Sequence, residues 1–234
     1  MSPLDQTAVV EKAMASSPTL TGVPRSHVKD FAAQGRVRTY RKGTYLCQQG
    51  DEADRVYFLV RGRVEISSIS LTGNRILHAS VDQPQFLGEL PVLGEMDRTA
   101  DLLALEDSEV WSIGSSRFVD FVTSEPVAAR QVLAALARQV REHESFVDDL
   151  LFLDLKGRVA KRLLQMGTPS LAELPTDGSS IPAVTHADLA SLCGGSRENV
   201  SRILSDLQRR GVISREGSRY VLAKVSYLAR LAAL

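Results

Sequence analysis

The spacing of apolar residues changes period twice along the chain. Residues 1–35 carry helical pieces interrupted by Pro18 and Pro24, the latter placed at the first turn of a short helix through Phe31. From Val37 the texture becomes that of strands. VRTYRKGTYLCQQG, DRVYFLVRGRVEISSIS and NRILHASV are short runs rich in Val, Ile, Tyr and Phe, punctuated by Gly43, Gly50, Gly62 and Gly73. That spacing predicts hairpins in a compact all-β unit, continued by RTADLLAL and SEVWSIG to about Gly114. After Pro126 the period lengthens. Leu133, Leu136, Val140, His143, Val147 and Leu150 recur at alternating steps of three and four, the seam of one long helix to about Leu151 that packs against a copy of itself. The alternative lays this stripe on the β unit of its own chain. His143 puts a polar ring into the seam, where it sets register or touches a ligand held nearby.

The C-terminal part opens with LDLKGRVAKRLLQM, a basic amphipathic helix ending near Gly167, followed by a loop rich in Pro, Gly and Ser through Pro182. Thr185 starts another helix, with Asp188 as a partial capping-box partner. HADLASLC stops at Gly194-Gly195, and SRENVSRILSDLQRRG follows at once. Ser196 is placed to cap this last helix and Gly211 to end it, while Val200, Ile203, Leu204 and Leu207 form its buried stripe. GVISREGSRYVL then reads as strand, turn, strand. The set is a helix-turn-helix with a β-wing. In that motif the second helix enters the major groove with its N-terminal residues toward base edges. Arginine pairs with guanine O6 and N7, and glutamate accepts from cytosine N4. Arg197, Glu198 and Arg202 are therefore the candidate base readers. Ser196, Asn199, Ser201 and the wing residues Arg215 and Arg219 are candidates for phosphate contact.

Charge adds a division that the net value of zero conceals. Residues 1–154 hold 16 Lys/Arg against 22 Asp/Glu and the remainder 12 against 6, so an acidic part is joined to a basic, polyanion-seeking one. The 234 residues, 44% hydrophobic and 24% charged, leave room for two modest cores. Cys47 and Cys193 stand alone and far apart, which points to a reducing compartment and away from an iron–sulfur cluster. No apolar run suits a bilayer and the N-terminal residues show no charged-then-apolar signal-peptide pattern, so a cytoplasmic protein without membrane attachment is expected. The sequence offers neither a nucleophile–base set nor a metal-ligand cluster, so neither an enzyme nor a metal site is expected. A purely structural dimer module gives no reason for Arg197, Glu198 and Arg202.

Over about residues 20–222 the order of parts resembles the cyclic-AMP receptor protein (CRP/FNR) superfamily of bacterial regulators. FLDLKGRVAKRLL followed by GGSRENVSRIL is similar to the family's hinge and recognition helix, with Ser196, Arg197, Glu198, Val200 and Arg202 in place. GELPVLGEMDRTA, residues 88–100, is similar to the phosphate-binding cassette of cyclic-nucleotide domains. The chemistry is legible in the residues as well. Gly88, Glu89 and Leu90 open a short helix whose backbone N–H groups suit an anion, Arg98 offers a forked cation and Thr99 a hydroxyl. The alternative for this loop is an ordinary turn closed by an Arg–Glu ion pair.

The resemblance implies that Glu89 accepts from a ribose 2′-OH and that Arg197, Glu198 and Arg202 read a TGTGA-like half-site. There are departures: Phe86-Leu87-Gly88-Glu89 spreads the usual Phe-Gly-Glu, Pro91 replaces a small residue, and the hydroxyl pair that cyclic-AMP sensors use on adenine falls at His143 and Glu144. The implied fold is α+β, with a β-roll (jelly roll) sensor over 1–125, a dimerisation helix and hinge over 126–153 and a winged helix-turn-helix over 154–234. The implied function is a homodimeric transcription regulator that reads a palindromic operator in double-stranded DNA under control of a cyclic nucleotide, cyclic AMP first. RNA polymerase is a further candidate partner, and no other cofactor is implied. The alternatives are the same regulator acting without ligand, or with another effector such as a different cyclic nucleotide or a haem held by His78 or Cys47.

Overall fold

The computed structural model describes residues 3–70, 73, 75–168, 173–182, 184–217 and 219–234. Asn74, Ser218 and residues 169–172 of the runs quoted above lie outside the described residues. Two helices, α1 (Pro3–Ala15) and α2 (Arg25–Ala32), precede eight strands: β1 (Arg36–Tyr40), β2 (Tyr45–Cys47), β3 (Arg55–Arg61), β4 (Val64–Ile69), β5 (Arg75–Val81), β6 (Phe86–Leu87), β7 (Asp101–Ala104) and β8 (Ser108–Gly114). A short helix, α3 (Glu89–Leu93), sits between β6 and β7. The strands form two antiparallel sheets, ordered β1-β8-β3-β6 and β2-β7-β4-β5. Only β4 and β5 pair as sequence neighbours within this roll; the other consecutive strands lie in opposite sheets. The expected succession of hairpins is thus a jelly roll, because the turns at Gly43, Gly50 and Gly62 carry the chain across to the other sheet, and only the Gly73 turn returns it along the same one.

Aromatic packing closes one end of the roll. Phe31, Phe58, Phe86, Trp111 and Phe118 are fully or nearly buried, and Trp111 Nε1 donates to Ala32 O at 2.9 Å. A β-carbon at Gly35 would collide with the Trp111 ring, so glycine there lets the chain pass from α2 into β1. Helix α4 (Ser115–Ser124) follows β8 and buries Phe118 and Val122, a single i, i+4 pair too short to show a period in the sequence.

Helix α5 (Pro126–Phe152) is unbroken, as its seam predicted. Its first turns bury Ala128 and Val132 in the aromatic core. Within this helix the chain divides into two compact units, one through Val140 and one from Arg141 to Leu234. The second unit comprises the last turns of α5, then α6 (Leu155–Gly167), β9 (Ser179–Ile181), α7 (His186–Cys193), α8 (Arg197–Arg209), β10 (Ile213–Glu216), β11 (Arg219–Leu222) and α9 (Val225–Leu231). Its core gathers Leu163, Leu164, Leu189, Val200, Leu204 and Leu222. The predicted loop before Pro182 contains β9, which pairs with β11 and buries Ile181; three residues are too few for alternation to reveal a strand. Among the described residues no helix is long and apolar enough to cross a membrane.

Candidate functional site

The cassette is built on one glycine. β6 ends at Leu87; the next residue, Gly88, has a φ of +72° in the left-handed region, and α3 starts directly after it. A β-carbon at Gly88 would also collide with Arg98 Nη1. Arg98 is only 3% exposed. Its Nη1 donates to Gly88 O at 2.8 Å, its Nη2 donates to Arg55 O, and the guanidinium lies 5.3 Å over the Tyr57 ring. Its Nε is buried with no partner among the described residues. A buried cationic donor left unfilled is costly, and what the position lacks is an acceptor, best an anionic one. The Arg–Glu ion-pair alternative fails here, since the fork of Arg98 grips backbone carbonyls instead. Burial holds the Glu89 carboxyl above its ordinary value, offset only in part by its own backbone N–H and then by the Arg98 charge. Leu90 is half-buried, Thr99 is exposed, and Pro91 is buried in the first turn of α3, where it displaces no helical hydrogen bond.

Tyr57 and Arg55 belong to this cassette but carried no signal in the sequence, because a tyrosine in an apolar strand reads as core. A groove of about 490 Å³ runs beside them, lined by Arg38, Cys47, Asp51, Glu52, Asp54 and Tyr57 among others. Its wall carries both signs of charge, three carboxylates with Arg38 and Arg55, the latter paired with Asp54. Burial pushes the thiols of Cys47 and Cys193 up to about 11, so both are protonated at neutral pH.

On α5 the seam faces outward from the single chain. Leu133, Val140 and Val147 are 66%, 57% and 52% exposed, and Leu150 is exposed as well. Leu136 alone of the apolar set packs in part against the first unit's core, so the stripe as a whole is not spent on the chain's own β-roll. His143 and Glu144 stand exposed on the same helix, in the second unit, whereas the cassette lies in the first.

The helix-turn-helix forms as its caps predicted. Thr185 Oγ1 accepts from Asp188 N, Gly194 takes the left-handed conformation after α7, and Ser196 Oγ accepts from Asn199 N at 3.3 Å to start α8. Arg197, Glu198, Asn199 and Arg202 are all exposed on the first turns of α8. The Glu198 carboxyl is held down by its own backbone N–H, by Ser196 and then by Arg197 and Arg202, so it stays ionised at the positive end of the helix dipole. In the wing, Arg215 stands opposite Tyr220 and Glu216 opposite Arg219, and both arginines are exposed. Ser201 has a partner that the sequence did not indicate. Its hydroxyl is hydrogen-bonded to His186 at 2.7 Å within the protein.

Comparison with known proteins follows the same division. A model of the cyclic nucleotide-binding domain matches residues 37–125, and a model of the Crp-like helix-turn-helix domain matches residues 157–231. The cyclic AMP receptor protein of Thermus thermophilus is 30% identical over 200 residues, covering 86% of this chain and 89% of that protein. The CRP-like cAMP-activated global transcriptional regulator of Mycobacterium tuberculosis is 27% identical over 227 residues, covering 95% of this chain and all of the relative. The crystal structure of the Thermus thermophilus catabolite activator protein aligns with a TM-score of 0.55 at 28% identity, over 93% of this chain and 99% of that one.

Proposed function

The chain belongs to the CRP/FNR family of DNA-binding transcription regulators, and from that premise we propose that it acts as a homodimer whose grip on a palindromic operator is set by a cyclic nucleotide, cyclic AMP first, in its β-roll. The observation that carries the effector half is Arg98: a buried guanidinium, an unfilled Nε and a glycine cut away to admit it. These features fit a singly charged phosphodiester. When bound, that group supplies a negative charge and acceptor oxygens. Arg98 neutralises it, the backbone N–H groups around Glu89 and Leu90 and the Thr99 hydroxyl donate to it, and Glu89 accepts from the ribose. His143 and Glu144, where the family's hydroxyl pair falls, are the residues proposed for the base, with donors and acceptors different from a pair of hydroxyls. The dimer half rests on the exposed Leu133, Val140, Val147 and Leu150 stripe. RNA polymerase remains the natural recipient of a bound regulator's contacts.

A second reading, operator binding without effector, is supported by the two carbonyls that already hold Arg98 Nη1 and Nη2. Fluorescence anisotropy on a TGTGA-type palindromic duplex, at one stated salt concentration with and without saturating cyclic AMP, separates the two. Tighter binding with nucleotide is the expected result, and Arg98→Leu should abolish the response while leaving basal DNA binding. Equal binding with and without nucleotide would favour the second reading.

A further inference from the structure

We propose that His186 is a positioning residue for operator recognition, one imidazole that couples the base-reading helix to the wing; this rests on the assignment of Arg197, Glu198 and Arg202 to base edges. His186 is the first residue of α7 and is half-buried. Its Nδ1 is hydrogen-bonded to Ser201 Oγ at 2.7 Å and its Nε2 to Tyr220 OH at 2.9 Å. Ser201 lies on α8 one turn beyond Arg197 and directly before Arg202. Tyr220 lies on β11, is buried, and stands in register with Arg215, whose guanidinium sits 6.0 Å over its ring. A continuous line of contacts therefore runs from the wing arginine through Tyr220, His186 and Ser201 to the helix that carries Arg202.

The chemistry suits a strut better than a ligand site. Both ring nitrogens are engaged, and both partners are hydroxyls, which donate or accept as the tautomer requires. Apolar contacts such as those of Leu204 and Leu207 hold α8 to the core but carry no directional bond. Two short, directional bonds on one rigid ring fix the separation of α8 and β11. Base edges require placement to about 0.5 Å, whereas phosphate contacts position the protein without carrying sequence information. Loss of the strut should therefore reduce discrimination more than affinity for DNA at large.

The test uses the full-length chain and the best duplex that the wild type recovers from a randomised pool, with a scrambled duplex of equal length, both by anisotropy at fixed salt. His186→Ala and Tyr220→Phe, the latter keeping the buried ring, should each lower the ratio of specific to scrambled affinity about five- to tenfold with scrambled affinity unchanged. The double variant should lose no more than His186→Ala alone. Equal losses on both duplexes, with a shallower salt slope for His186→Ala, would make the histidine a phosphate contact and overturn the proposal. So would an unchanged ratio in Tyr220→Phe. A pool that yields no consensus would overturn the DNA-reading assignment, and this proposal with it.

Discussion

At Gly88 a left-handed backbone and the absence of a side chain serve one end, which is room for Arg98. Gly88→Ala imposes both penalties at once. A β-carbon in that conformation costs about 1–2 kcal/mol, and the guanidinium must leave the Gly88 carbonyl. The expected outcome is a lower urea midpoint together with loss of cyclic-nucleotide binding in calorimetry. Binding that survives at wild-type strength would separate the effector from Arg98. Ser201 shows the opposite case, a polar side chain on a recognition helix whose partner lies inside the protein.

The join between α5 and α6 is held by charge. Lys161 Nζ meets Asp149 Oδ1 at 2.6 Å, with both side chains less than one-fifth exposed, and also donates to Ser145 Oγ. Arg158 donates to Leu153 O, Cys193 O and Gly194 O, and Arg162 to Leu192 O, so α6 fills the orphan carbonyls that end α7. Asp149→Ala leaves a mostly buried ammonium unpaired and should cost about 3 kcal/mol in chemical denaturation, whereas Asp149→Leu with Lys161→Met should recover most of it. On the far side of α6, Lys156 and Arg210 hold the Asp206 carboxyl down to about 2. Because that value lies below the ordinary 3.8, its contribution is complete above the ordinary value and is lost as pH falls through about 2. Unfolding midpoints should therefore drop more steeply with acid in the wild type than in Asp206→Asn.

Long periods and caps were readable beforehand: α5 from six seam residues, α7 from Thr185, α8 from Ser196 and its buried stripe. The cassette was readable at Gly88, Glu89 and Arg98, since spacing within one loop places them together. What escaped were partners distant in sequence. Tyr57 reaches Arg98 from another strand, His186 reaches Ser201 and Tyr220 across the helix-turn-helix, and β9 is recognisable only by its pairing with β11. Local pattern records which face a residue turns, not what it meets there.

Ligand control of DNA binding asks for a large bias. Moving a two-state population from 1:99 to 99:1 requires about 5.5 kcal/mol of differential affinity. On the dimer reading the element that both copies share is α5, so Val140→Lys, a charge in the middle of the exposed stripe, should shift the protein to monomer in sedimentation and lower operator affinity with it.

Because α5 runs without a break through the division between the two units, the dimer reading also makes it a phase-keeping rod, on which length counts in sevens. One alanine inserted after Val140 turns Val147 and Leu150 roughly 100° away from Leu133 and Val140. Seven inserted residues return them to the same stripe. Dimerisation should thus fail with the short insertion and survive the long one, the reverse of what the size of the change alone would suggest.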